Sequence, residues 1–117
     1  QVLLEMHGQF YYWEYALGAV EIADHPHVSL NYNSDPRDLV GGSLAFVLGK
    51  VGPRLKHVHL HDLADESFPY LELFRYLKNV GYQGYLSLEE GYSGGDPESV
   101  IRLYAALYRA LMAQLKD

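Results

Sequence analysis

The chain has 117 residues, of which 49% are hydrophobic and 14% aromatic, and it contains no cysteine. This composition excludes an intrinsically disordered chain, a disulfide-stabilised fold and a thiolate metal site. Fifteen acidic residues against nine basic ones give a formal net charge of −6, which argues against a surface that binds nucleic acid.

The first half of the chain predicts two strand–helix pairs. An apolar run at 2–7 predicts a strand, and an aromatic and then helical stretch follows at 10–23. A second strand is predicted at 28–33, and a helix from about 36 to 50 follows it. The Gly-Pro pair at 52–53 is a stop signal for that helix.

The second half repeats the arrangement. Strands are predicted at 55–61 and 85–89, with a helix at 69–80 between them that Gly81 ends. The last helix begins at Asp96, because an Asp N-cap followed by proline is typical of a helix start. Its apolar face is expected to contain Val100, Leu103, Tyr104, Leu107, Leu111 and Leu115.

Strands that alternate with helices in this way predict right-handed crossovers and a parallel sheet, and therefore an α/β fold. The intervals between Glu5, Asn33, His59 and Glu89 are 28, 26 and 30 residues. A (β/α)8 barrel needs roughly 30 residues for each unit. We therefore expect a single domain over 1–117 that corresponds to half of such a barrel.

One face of every predicted strand is polar, and its polarity increases toward the carboxyl end. Glu5, Asn33, His59 and Glu89 all lie at or near the last residue of their strands. Two explanations are open: the sheet has one solvated face, or this face is the lumen of a barrel, whose active site lies at the carboxyl ends of the strands. In the second case the four side chains form one cluster suited to Mn²⁺, Mg²⁺, Co²⁺ or Zn²⁺.

The strand ends LLEMHG, HPHVSLNYN, LKHVHLHDL and GYQGYLSLEE resemble the C-terminal half of the xylose isomerase-like barrels. That group includes the sugar phosphate isomerases and epimerases and the endonuclease IV relatives. The resemblance covers essentially the whole chain. Its most specific piece is HVHLHD, followed about 27 residues later by GYQGYLSLEE.

The resemblance implies a set of metal ligands. In such epimerases Glu, Asp, His and Glu from four successive strands hold the metal, and these positions fall on Glu5, Asn33, His59 and Glu89. Asn33 departs from the pattern, because an amide carries no charge. Asn31 is the alternative if the strand register differs by two. Glu5 and Glu89 are the implied catalytic pair, which removes and returns a proton next to a sugar carbonyl.

Other residues are also candidates for contacts with the substrate. His7 and His61 are candidates for hydrogen bonds to it. Trp13 ends the aromatic run 10–13, whose rings either stack on a sugar or pack against neighbouring helices. The glycine-rich loop 91–95 precedes a helix N-terminus, so it is either an anion or sugar contact or a simple connection.

Three functions remain open on the sequence. The first is a metal-dependent isomerase or epimerase of a sugar or sugar derivative. The second is a lyase or hydrolase of an oxidised sugar on the same fold, which the Asn33 departure favours. The third is a non-catalytic carbohydrate-binding or assembly fragment.

A half-barrel leaves two open sheet edges, so a partner is expected. We expect either a second copy of the chain or an N-terminal half-barrel preceding Gln1. No apolar run approaches the roughly 18 residues of a membrane span, and no signal-like segment is visible, so no membrane partner and a cytoplasmic location are expected.

Overall fold

A computed structural model describes residues 1–91 and 95–115 of the chain. Four parallel strands form one sheet, and their order in the sheet is their order in the sequence. The strands are β1 (Val2–Glu5), β2 (Val28–Asn33), β3 (Leu55–Leu60) and β4 (Tyr85–Leu88). The predicted α/β fold with four parallel strands is therefore confirmed.

A helix follows each strand. The helices are α1 (Trp13–Ala23), α2 (Ala45–Val51), α3 (Tyr70–Asn79) and α4 (Pro97–Ala113). Short 3-10 turns precede α1 at Gly8–Tyr11 and follow α2 at Gly52–Arg54. Across 1–91 and 95–115, none of the helices combines the length and the apolar character that a bilayer crossing requires.

The prediction of a helix at 36–50 is wrong over its first half. The chain makes a 3-10 turn at Pro36–Asp38, and α2 begins only at Ala45. Gly41 and Gly42 lie between them with φ of 60° and 81°. These left-handed conformations interrupt a right-handed helix, and glycine adopts them without steric cost.

The start of α2 is stabilised by a neighbouring helix. The Leu44 backbone N–H and the Ser43 hydroxyl both donate to Oε1 of Glu72 in α3, at 2.9 and 2.5 Å. The first N–H groups of a helix have no partner within the helix, so this carboxylate satisfies one of them. The contact also ties α3 to α2.

The apolar face of the sheet packs against the helices and forms the core. Leu30 and Tyr32 of β2 and Val58 of β3 are fully buried there. The helices contribute further buried side chains, namely Ala16, Val20, Val47, Leu48, Leu73, Phe74 and Leu77. Alternation then places Asn31, Asn33 and His59 on the opposite face of the sheet.

Helix α4 begins as predicted. The Asp96 carboxylate accepts a hydrogen bond from the Glu98 backbone N–H at 3.1 Å, and Pro97 is the first helical residue. The prediction that Leu103 lies on the inward face is wrong, because this side chain is 58% exposed.

Candidate functional site

Three polar side chains converge over the polar face of the sheet. Nδ1 of His59 lies 2.8 Å from Oε2 of Glu89 and 3.2 Å from Oε1 of Glu5. The three possible ligand atoms all lie within 4.8 Å of one another. We call Glu5, His59 and Glu89 the triad. The structure thus brings together three of the four residues that the resemblance implies as ligands.

The topology explains why the triad forms. Glu5 ends β1 and Glu89 directly follows β4, so the two carboxylates come from the two outer strands. In a flat sheet these strands would be about 14 Å apart, since neighbouring strands are separated by about 4.8 Å. The glutamate side chains reach inward over His59, which lies on β3. The Glu89 backbone is fixed by its N–H, which donates to the Leu60 carbonyl at 2.7 Å.

The end of β2 supports His59. The buried Ser34 hydroxyl donates to the His59 carbonyl at 2.6 Å, and Asn33 is the direct partner of His59 in the parallel ladder. No sequence signal pointed to Ser34, because a lone serine after a strand is common in loops. This contact fixes the backbone of β3 at the point where it presents the imidazole.

The structure places Asn33 beside His61 and not against the triad. Oδ1 of Asn33 lies 2.7 Å from Nε2 of His61, and Nδ1 of His61 lies 2.7 Å from the Glu89 carbonyl oxygen. The His61 backbone N–H also donates to the Tyr70 hydroxyl at 2.9 Å. His61 therefore bridges the ends of β2 and β4.

Asn31 contacts the triad instead. Its Nδ2 lies 3.1 Å from Nε2 and 3.5 Å from Nδ1 of His59. The side chain is buried, and Oδ1 has no hydrogen-bond partner within the described residues. The strand pattern leaves Asn31 as the alternative to Asn33, and in the structure Asn31 is the amide that lies against His59.

The remaining candidates lie against aromatic side chains. The exposed His7 ring has its centroid 5.1 Å from that of Tyr11. Trp13 packs edge-on against Phe46 of α2, with ring centroids 5.9 Å apart, so it packs against a neighbouring helix. The loop considered for anion or sugar contact includes residues 92–94, which lie outside the described residues.

The loop after β2 adds a cation that the sequence analysis did not single out. The Arg37 guanidinium lies 3.7 Å from the centre of the Tyr11 ring, and it pairs with Asp35 at 3.0 Å. Arg37 is exposed, and the loops after β1 and β2 both follow the carboxyl ends of their strands. Arg37 therefore lies at the same end of the sheet as the triad, where it is paired with Asp35.

A buried carboxyl group lies in the same loop. Burial raises the pKa of Asp38 to about 6, and interaction with the Tyr32 hydroxyl opposes that rise. The folded protein therefore holds a proton on Asp38 at pH values where the unfolded chain has lost it. By linkage, Asp38 contributes stability below about pH 4 that is lost as the pH rises through about 6.

Replacing Asp38 by asparagine is expected to remove that loss. The variant should match the wild type near pH 4 and exceed its free energy of unfolding by about 1–3 kcal/mol at pH 7–8, because it never buries a charge. Urea unfolding at a series of pH values measures the difference. If the free energies of unfolding of the two proteins differ by the same amount at every pH, burial of the Asp38 charge is not the cause of the difference.

Comparison with known proteins finds a structural neighbour. No protein-family model matches the chain, and no curated protein sequence does either. The chain is similar in structure to the apo form of a 3-keto-D-glucoside 4-epimerase, YcjR, from E. coli, with a TM-score of 0.63 and 23% sequence identity. The match covers 80% of this chain and 39% of that one, so this chain corresponds to well under half of its neighbour. The likeness establishes a shared fold over the matched part.

Proposed function

We propose that the chain carries the active site of a metal-dependent isomerase or epimerase that acts on a sugar or sugar derivative. The observation that carries the proposal is the convergence of Glu5, His59 and Glu89 at the carboxyl ends of parallel strands. The structural neighbour, which is named as an epimerase of a keto-glucoside, supports a carbohydrate substrate.

The donor set fits a divalent cation. Two carboxylates and an imidazole are ligands that Mn²⁺, Co²⁺ and Zn²⁺ accept, and Mg²⁺ accepts the oxygens. The buried amide of Asn31, which lies against His59 and whose Oδ1 lacks a partner among the described residues, could add a further oxygen to this set. A bound cation would supply polarisation of a sugar carbonyl and its neighbouring hydroxyl.

The two carboxylates of the triad suit proton transfer. Glu5 and Glu89 approach His59 from opposite edges of the sheet, and both are partly open to solvent. One carboxylate removes the proton from the carbon next to the carbonyl, and the other, in its acid form, returns a proton. Return to the opposite side of that carbon inverts its configuration, which is epimerisation.

We also propose that the four strands are half of a (β/α)8 barrel of the xylose isomerase-like kind. Val2 on β1 is 63% exposed and Tyr85 on β4 is 80% exposed, so both outer strands present apolar surface. Outer strands of a parallel sheet also leave backbone N–H and C=O groups without strand partners. Further parallel strand–helix units would cover both edges, supplied by a second copy of the chain or by another part of a longer polypeptide.

Deuterium exchange tests the proposed reaction. The protein is incubated in D2O with Mn²⁺ and a panel of aldoses, ketoses and keto-glycosides, and the sugars are followed by NMR. We expect deuterium at the carbon next to the carbonyl without loss of any group. Glu89→Gln should slow this exchange by about 10²-fold or more, while the exposed neighbour Glu90→Gln should not.

The other functions predict other results. A lyase would produce an unsaturated sugar, a hydrolase would release a fragment, and a binding module would produce neither deuterated nor cleaved sugar. Equal rates in the Glu89→Gln and Glu90→Gln proteins would contradict the role of the triad even if exchange occurs.

A further inference from the structure

Asn31 is a buried polar side chain with one atom left unpaired. It is 8% exposed, and its Oδ1 has no hydrogen-bond partner within residues 1–91 and 95–115. A buried amide oxygen without a hydrogen-bond partner lowers the stability of the folded protein. Such an atom therefore needs an explanation, and a bound ligand is one. The other end of the same amide lies against His59.

A half-turn of the amide exchanges its two ends. The nitrogen and oxygen of an asparagine amide have nearly the same size, so rotation places Oδ1 where Nδ2 now lies. The oxygen would then be 3.1 Å from Nε2 and 3.5 Å from Nδ1 of His59, and Nδ1 also faces Glu89 Oε2 at 2.8 Å and Glu5 Oε1 at 3.2 Å. Three oxygens would then surround the imidazole ring of His59.

These separations are those of ligands that share one cation. Ligands about 2.1 Å from an ion are about 3.0 Å apart in an octahedral arrangement and about 3.4 Å apart in a tetrahedral one. The distances from Nδ1 of His59 to the two carboxylate oxygens, 2.8 and 3.2 Å, and to the rotated amide oxygen, 3.5 Å, are close to this range. Neutral amide oxygens are accepted by hard cations, which also bind carboxylates.

Asn33 is less suited to this role. Its amide lies against His61, with 2.7 Å between Oδ1 and Nε2, whereas the amide of Asn31 lies against His59 of the triad. We infer that Asn31, and not Asn33, supplies the fourth ligand of the metal centre through its amide oxygen. This inference rests on the proposed function, because it requires that the triad binds a cation.

A comparison of paired substitutions tests the inference. Mn²⁺ affinity is measured by titration with EPR detection of the free ion for wild type, Asn31→Asp, Asn33→Asp, Asn31→Leu and Asn33→Leu. Both aspartate variants add the same charge, so a difference between them reports direct ligation. Ser29→Ala, a buried position on the same strand face, controls for disturbance of β2.

We expect Asn31→Asp to tighten Mn²⁺ binding at least about tenfold more than Asn33→Asp, whose new carboxylate would face His61. Asn31→Leu should weaken binding at least about tenfold more than Asn33→Leu. Ser29→Ala should bind as the wild type does. Far-UV circular dichroism checks the fold of each variant. If a leucine variant is unfolded, the two aspartate variants alone decide between Asn31 and Asn33 as the ligand.

Equal effects at the two positions, or larger effects at Asn33, would overturn the inference while leaving the metal centre intact. Absence of saturable Mn²⁺ binding in the folded wild-type protein would overturn the proposed function as well. The two failures are therefore distinguishable in one set of titrations.

Discussion

Replacing His59 by glutamine is expected to weaken divalent metal binding by about 10²-fold or more. The reason is the position of the ring, whose Nδ1 is the atom that both carboxylates of the triad approach, at 2.8 and 3.2 Å. Isothermal titration calorimetry with Mn²⁺ or Zn²⁺ measures the loss. The glutamine is similar in size, so the sheet should remain folded.

His57→Gln is the matched control. His57 is on the same strand and the same face, two residues earlier, and its Nε2 lies 2.8 Å from the Ser87 hydroxyl. It does not belong to the triad, so its replacement should leave the metal affinity close to that of the wild type. Similar losses in both variants would mean that damage to β3, and not loss of a ligand, weakens binding.

The largest expected effect on stability comes from Leu30→Ala, which should lower the free energy of unfolding by about 2–5 kcal/mol. Leu30 is 0% exposed and belongs to β2, which pairs with strands on both sides. The truncation removes apolar contacts and leaves a cavity between the sheet and the helices. Urea unfolding followed by circular dichroism measures the change.

Ile22→Ala is the control for this substitution. Ile22 is on α1 and is 87% exposed, so its truncation should change the free energy of unfolding by no more than about 0.5 kcal/mol. If Leu30→Ala has a similarly small effect, the apolar face of the sheet is not the core of the folded protein.

The sheet and the triad could be predicted from the sequence, because period-2 alternation separates the two faces of each strand. Leu30 and Val58 are buried against the helices, while Glu5 and His59 meet on the other face. Parallel strands place their carboxyl ends at one edge of the sheet. The even spacing of the polar strand ends along the chain was therefore enough to predict that these residues lie close together.

The choice between the two asparagines could not be predicted in the same way. Asn31 and Asn33 share a face, so alternation treats them alike, and family position favoured Asn33. Which amide reaches His59 depends on side-chain direction and on the contact between Asn33 and His61. Neither is visible in the spacing of residues along the chain.

Helix boundaries show a similar limit. The apolar pattern from 36 to 50 contains enough helix-compatible spacing to predict one helix, yet Gly41 and Gly42 adopt left-handed conformations and interrupt it. The apolar spacing of α4 also predicts that Leu103 lies on the apolar face of the helix, yet this side chain is 58% exposed. Tertiary packing decides such positions, and propensity alone does not.

The most direct test of the metal centre is the stoichiometry of Mn²⁺ binding, measured by equilibrium dialysis of the wild-type protein and of Glu5→Gln. We expect one ion for each chain in the wild type and no saturable binding in the variant, because Glu5 contributes one of the three converging ligand atoms. No saturable binding in the wild type, or an unchanged stoichiometry and affinity in Glu5→Gln, would contradict the assignment of Glu5, His59 and Glu89 as a metal site.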